Sequence, residues 1–147
     1  MKKKVYLRDK RSPIPKNEVV SKVMSANKAA NTKPEIKLRK ELWACGLRGY
    51  RCNYKSLTGR PDIIFPKHKL AIFVHGCFWH RCPHCNLSLP KNNSDFWALK
   101  FKKNKDRDLK KEDFLMQLGW KVFVCCECQV NDNKNFLIKK IKSNLTL

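Results

Sequence analysis

The chain has 147 residues, 42% of them hydrophobic, which fits a single domain with a packed interior. Thirty-three Lys and Arg stand against twelve Asp and Glu, a formal net charge of +21, and an imbalance of that size points to a polyanionic partner, nucleic acid first and an anionic membrane surface second. No apolar run approaches the ~20 residues of a membrane span, and no apolar stretch of a secretory signal follows Met1-Lys2-Lys3-Lys4, so a cytoplasmic, nucleoid-associated protein without membrane contact is expected. Residues 1–16 are basic, end in Ser12-Pro13-Ile14-Pro15 and read as a flexible arm; 17–147 read as the folded domain.

Asn17 or Ser21 can open a short helix containing Val20, Val23 and Met24. Thr32-Lys33-Pro34-Glu35 is a helix start, with Thr32 as cap, Pro34 in the first turn and Glu35 completing a capping box. Leu38, Leu42 and Cys45 then mark one helical face, and Gly46 ends it. Tyr50–Tyr54 and Asp62–Phe65 read as strands, with turns at Leu57–Pro61 and Pro66–Lys69. Leu70–His75 is a continuous apolar strand, predicted to be buried on both faces. Ser94 opens a helical run through Phe96, Trp97, Leu99 and Lys100, and a second run closes with Phe114, Leu115 and Leu118 before Gly119. Trp120–Cys126 is a further buried strand, and Asn131–Asn144 a final helix. The order α, β, β, β, α, β, α predicts a mixed central β-sheet with helices on both faces.

The segment His75–Cys85 packs three cysteines, three histidines and the pair Phe78-Trp79 into eleven residues. Asp62 stands where a turn enters a strand, and twelve residues later the next strand ends at Val74-His75. A carboxylate at one strand edge, beside the end of its neighbour, can hold a Mg²⁺ ion against a phosphate. The competing role for Asp62 is turn capping after Pro61. His80 can take a proton from water at neutral pH; otherwise His75 or His80 is a zinc ligand or a phosphate contact. Glu35 is already explained by the capping box.

The chain has eight cysteines. In a reducing compartment their C-x-x-C pairs indicate zinc rather than disulfides. Cys77, Cys82 and Cys85 can supply three thiolates and Cys128 a fourth. His84 could replace Cys85, and Cys125 could replace Cys77 in a ribbon-like pair of C-x2-C motifs. Cys45 and Cys52 read as plain core residues. Phe78 and Trp79 either pack inward or form a wedge that enters a base step, held rigid by the metal loop. The basic run Lys100, Lys102, Lys103, Lys105, Arg107, Lys110 and Lys111 is either a solvated helix face or a phosphate-binding one.

Seven segments occur in one order: Ser21–Ser25, Asn31–Glu35, Gly59–Asp62, His75–His80, Phe96-Trp97, Asn104 with Arg107-Asp108, and Glu127-Cys128. In them the chain resembles the very short patch repair (Vsr) DNA mismatch endonucleases, over roughly residues 20–130. His75–His80 is the most specific segment. The resemblance implies a restriction-endonuclease-like fold with a structural zinc site. It also implies Mg²⁺-dependent nicking of double-stranded DNA, 5′ of the mispaired thymine in T:G mismatches left by 5-methylcytosine deamination. Asp62 then corresponds to the metal-binding carboxylate, and Val74 to a residue that offers its main-chain carbonyl to the same Mg²⁺. His80 corresponds to the water-activating residue, with His75, Glu35 and Asp108 as further active-site groups. Phe78 and Trp79 match an intercalating pair, Met24 a residue inserted from the opposite groove, and Lys100, Lys103 and Arg107 fall on the phosphate-binding run. Cys77, Cys82, Cys85 and Cys128 match the zinc ligands, which decides against Cys125. Arg81 stands where glycine or histidine is common, and the arm before Asn17 has no counterpart.

Two rival functions fit parts of the sequence. A restriction-type endonuclease on the same fold would cut both strands of an unmismatched site, and would favour a homodimer; a nicking enzyme is expected as a monomer. A zinc-stabilised DNA-binding module would leave Asp62 and His80 without a role. Since a nick alone replaces no base, other mismatch-repair proteins are expected to act with this one.

Overall fold

The computed structural model describes residues 30–145. The arm over 1–16 and the helix expected around Val20, Val23 and Met24 lie outside the described residues. Helix α1 (Lys33–Ala44) leads to a short strand β1 (Arg51–Cys52), then β2 (Ile63–Phe65), a 3-10 turn at Pro66–His68, and β3 (Leu70–His75). A single turn α2 (Cys77–His80) precedes the long helix α3 (Ser94–Gln117), followed by β4 (Lys121–Cys126), α4 (Glu127–Asp132) and α5 (Lys134–Leu145).

The sheet order is β1-β2-β3-β4. β1–β2 and β2–β3 are antiparallel, whereas β3–β4 is parallel, with His75 opposite Cys126 at the shared end. The expected mixed sheet is therefore present. Side-chain alternation along the strands divides the core in two. Ile63, Phe65, Leu70, Ile72, Val74 and Cys125 pack with residues of α1, α4 and α5, among them Leu38, Leu42, Val130, Leu137 and Ile141. Ile64, Ala71 and Phe73 pack on the other face with Leu115 of α3. Leu115 is fully buried, so Leu115→Ala should cost about 2–5 kcal/mol in urea unfolding; a smaller loss would mean that α3 is held by something other than this contact.

Several boundaries differ from the sequence reading. The two helical runs expected between Ser94 and Leu118 are one helix of 24 residues, with Asn93 in the left-handed region as its N-cap. Its basic middle is carried by Trp97, Phe101, Asn104 and Leu115, which are buried on one side. The final helix is split at Asn133 into α4 and α5. Thr32 is at the N-cap of α1 but makes no side-chain cap bond; Glu35 instead accepts from the Asn31 N–H at 2.9 Å. Cys45 is exposed at the end of α1, because the buried face ends at Leu42. Gly59 has φ +86°, and a Cβ there would sit 3.2 Å from Cβ of Lys111. Glycine thus lets the turn before Asp62 lie directly against α3.

Candidate active site and metal centre

Both predicted clusters form where the parallel strands β3 and β4 end. Period-2 alternation puts His75 on the same face as Ala71 and Phe73, the side covered by α3. The single turn of α2 brings His80 back over it. The two imidazoles stack with centroids 3.8 Å apart and planes 10° from parallel. Asp108 reaches them from α3, with Oδ2 2.5 Å from His80 Nδ1. That bond places the Nδ1 proton towards Asp108 when the ring is neutral, leaving Nε2 as the free base. Burial, reinforced by the charge of His80, holds His75 down to about 4, so it is uncharged at neutral pH. Asp108 is raised by burial, but the His80 bond and charge outweigh this and keep it below its ordinary value.

Asp62 stands one strand away. Its N–H donates to the Ile72 carbonyl, and its Oδ2 accepts from the Val74 N–H at 2.7 Å. Within a strand the N–H and C=O of one residue point to the same edge. The Val74 carbonyl is therefore directed to the Asp62 side, beyond the start of β2. Burial pushes Asp62 up to about 6; the Val74 bond opposes this, the charge of Glu35 adds to it, and Arg39 and His80 lower it. Asp62 is half-buried and keeps a route to solvent.

Glu35 is buried, 3% exposed, and is held by the Asn31 amide and by Arg39 Nη2 at 3.3 Å. Arg39 also donates to Asn31 Oδ1 at 2.8 Å, and Asn53 Nδ2 reaches the same oxygen at 2.9 Å. The Asn53 N–H in turn bonds the Asp62 carbonyl. Sequence reasoning missed Arg39 and both asparagines as site residues. The available signal was Arg39 lying one helical turn after Glu35.

The four sulfurs of Cys77, Cys82, Cys85 and Cys128 lie within 4.8 Å of one another. Cys82 Sγ and Cys128 Sγ are 3.5 Å apart, close to the ~3.8 Å edge of a tetrahedron with Zn–S bonds of about 2.3 Å. Backbone N–H groups of Cys128 and His84 point at Cys77 Sγ and Cys82 Sγ, each at 3.4 Å, which suits thiolate acceptors. Burial raises Cys82, yet donors led by the His84 amide bring it to about 6. The donor set and spacing fit zinc. Cys125 is fully buried in the core with its thiol 3.6 Å from the Phe73 carbonyl, and it and His84 are outside this group.

Phe78, 37% exposed, meets Trp79, Trp97 and Phe101 edge-on at 5.2–5.4 Å. Trp79 is half-buried against Trp97. Asn104, 5% exposed, donates to the Trp79 carbonyl at 3.2 Å and accepts from Arg107 at 2.7 Å. In the sequence Asn104 stands out only as part of a motif. Lys103 and Arg107 are exposed on α3 and Lys100 is half-buried. Met24 lies outside the described residues, and none of their helices is long and apolar enough to cross a membrane.

Residues 14–87 match the family described as DNA mismatch endonuclease Vsr. The chain is 42% identical to the Type II nicking enzyme V.NmeAIP of Neisseria meningitidis serogroup A, over 82% of this chain and 89% of that protein. It is 44% identical to the Type II nicking enzyme V.HpaIIP of Haemophilus parainfluenzae, over 67% and 70%. It is 35% identical to the DNA mismatch endonuclease Vsr of Escherichia coli K12, over 85% and 80%.

Proposed function

This chain belongs to the Vsr family and is a DNA-nicking hydrolase, and we propose that it cuts one strand of double-stranded DNA 5′ of the mispaired thymine in T:G mismatches left by 5-methylcytosine deamination. The observation that carries this reading is the His80–Asp108 pair, stacked on His75, at the end of the strand whose Val74 amide binds Asp62. The mixed sheet, with its acid at the entry to β2, supports a restriction-endonuclease-like fold. Relatives named as nicking enzymes support a single-strand cut.

In this mechanism Asp62 and the Val74 carbonyl would hold Mg²⁺, for which hard oxygen donors and one or two carboxylates are suited. With Mg²⁺ held by these oxygens, the site would gain a Lewis acid for the scissile phosphoryl group and its leaving oxygen. His80 Nε2 accepts the proton of the attacking water, while Asp108 fixes the ring and tautomer. His75 stays neutral and backs the His80 ring. Glu35, anchored by Arg39 and Asn31, adds a second acid whose charge reaches Asp62. Cys77, Cys82, Cys85 and Cys128 would hold a structural Zn²⁺, locking the loop that carries Phe78 and Trp79. These two rings would enter the base step beside the mismatch, with Met24 acting from the opposite groove. Lys100, Lys103 and Arg107 would contact phosphates without reading sequence. Such an enzyme acts on chromosomal DNA in the cytoplasm as a monomer, with other repair proteins completing excision and resynthesis.

The test compares Mg²⁺-dependent cleavage of duplexes identical except for T:G or C:G at one position. Selective nicking of the T:G duplex is expected. Equal cutting of both would return the enzyme to the restriction class. Trp79→Ala should reduce the T:G preference by about tenfold or more, since opening a base step costs a few kcal/mol and a mismatched step opens most easily; an unchanged preference would return Trp79 to packing alone.

A further inference from the structure

Among the described residues, the four-cysteine cluster is one of two groups of metal-ligating side chains. The other is His75, His80 and Asp108, of which one ring nitrogen from each histidine and one carboxylate oxygen lie within 4.8 Å of one another. The geometry points to a second, inhibitory metal site: His75, His80 and Asp108 together capture a divalent transition ion such as Ni²⁺ or Zn²⁺, and this capture disables the nicking centre.

Three observations carry it. The donors are two imidazoles and one carboxylate, a set that suits Zn²⁺, Ni²⁺ or Cu²⁺ and suits Mg²⁺ poorly. The donors are also pre-positioned by three separate elements. His75 ends a strand hydrogen-bonded on both sides, Asp108 is on the 24-residue α3, and His80 lies between Cys77 and Cys82 of the sulfur cluster. The two rings are neighbours, 3.8 Å apart and stacked, so their in-plane lone pairs run side by side and the rings must tilt for both to meet one ion. Finally, the side chains of His80 and Asp108 are 26% and 14% exposed, so an ion has access from solvent. To accept one, His80 Nδ1 and Asp108 Oδ2 need to open from 2.5 Å to about 3.3 Å, the ligand spacing set by metal–nitrogen bonds near 2.0–2.1 Å. Rotations of His80 and Asp108 provide that, with the two rings unstacking so that both lone pairs reach the ion.

The inhibitory part rests on His80 being the proton acceptor. An ion held at His80 Nδ1 leaves the ring proton on Nε2, which then has no lone pair for the proton of water; it also breaks the Asp108 anchor and adds positive charge beside Asp62. The enzyme would then demand Mg²⁺ at one place and exclude softer ions from a place next to it.

Binding is tested without DNA or turnover, in Asp62→Asn protein carrying one zinc per chain, so that the Asp62 position does not compete. Ni²⁺ is titrated by calorimetry, and nickel and zinc are counted by elemental analysis after dialysis. One Ni²⁺ per chain should bind with no loss of zinc. Adding His75→Ala or Asp108→Asn should weaken binding more than 100-fold, beyond the ~10–100-fold typical of lost outer-sphere partners. Retained zinc in these variants shows that they are folded. Equal Ni²⁺ affinity in all of them, or nickel bound only as zinc departs, overturns the site. In a second arm, unmodified protein nicks a T:G duplex in excess Mg²⁺ with and without Ni²⁺ at its binding concentration. A drop of at least tenfold is expected. Nickel bound at the cluster with nicking undiminished overturns the inhibition. Nickel bound in protein that nicks no duplex upholds the site and counts against the proposed function instead.

Discussion

Asp62→Asn is expected to abolish nicking and to make the protein more stable. Losing the carboxylate that would hold Mg²⁺ removes several kcal/mol of transition-state stabilisation, a fall of about 10³-fold or more. The stability gain has a separate origin. Burial lifts Asp62 from 3.8 to about 6, so the folded chain holds this proton more tightly than the unfolded chain. Between those values stability falls as pH rises, and above 6 the buried charge costs up to about 3 kcal/mol. Asn removes that cost and still offers an oxygen to the Val74 N–H. Urea unfolding at pH 7.5 without Mg²⁺ should favour Asp62→Asn, with the advantage shrinking as pH falls from 6 towards 4. Zinc content should be unchanged. A variant that unfolds, loses zinc or still nicks would remove Asp62 from the metal-binding role, whereas the expected pattern is a site held at the expense of stability.

Cys128→Ser should have the largest structural effect. Cys128, at the start of α4, is drawn to Cys77, Cys82 and Cys85, which lie beyond the end of β3. A zinc there closes a chain loop from 77 to 128, and structural zinc contributes about 10 kcal/mol or more to folding in small metal domains. The variant should fall from one zinc per chain to none, unfold many degrees lower and lose nicking. Cys125→Ser is the control: its thiol faces the Phe73 carbonyl in the core, so it should keep its zinc and lose only a little stability. Zinc retained in Cys128→Ser, or lost in Cys125→Ser, would reverse the assignment of ligands.

Much of this arrangement was legible in the sequence where local signals agree. Leu70–His75 is an uninterrupted apolar run, and it forms a strand over that same range. The C-x4-C-x2-C spacing announces a metal loop without geometry. What remained hidden depends on distance along the chain. His80 and Asp108 are 28 residues apart, and residues alone do not say that α3 turns Asp108 towards the loop; family resemblance supplied that pairing. α3 read as two helices because its middle is nearly all charged, and a buried asparagine at position 104 does not register as an apolar stripe. Glu35 satisfies the pattern of a capping box, yet its carboxylate goes to Asn31 and Arg39, since the backbone enters α1 by way of a left-handed Asn31. Cys45 fits the helical spacing but lies past the point where the sheet covers α1.

The sulfur cluster brackets the histidines: Cys77 follows His75 by two residues and Cys82 follows His80 by two. A zinc ion held there would fix both histidines, so its loss would take away the proposed base while the sheet, packed by its own core, stays in place. A copy that had lost the ion would then fall silent and not cut indiscriminately, which would serve as a safeguard.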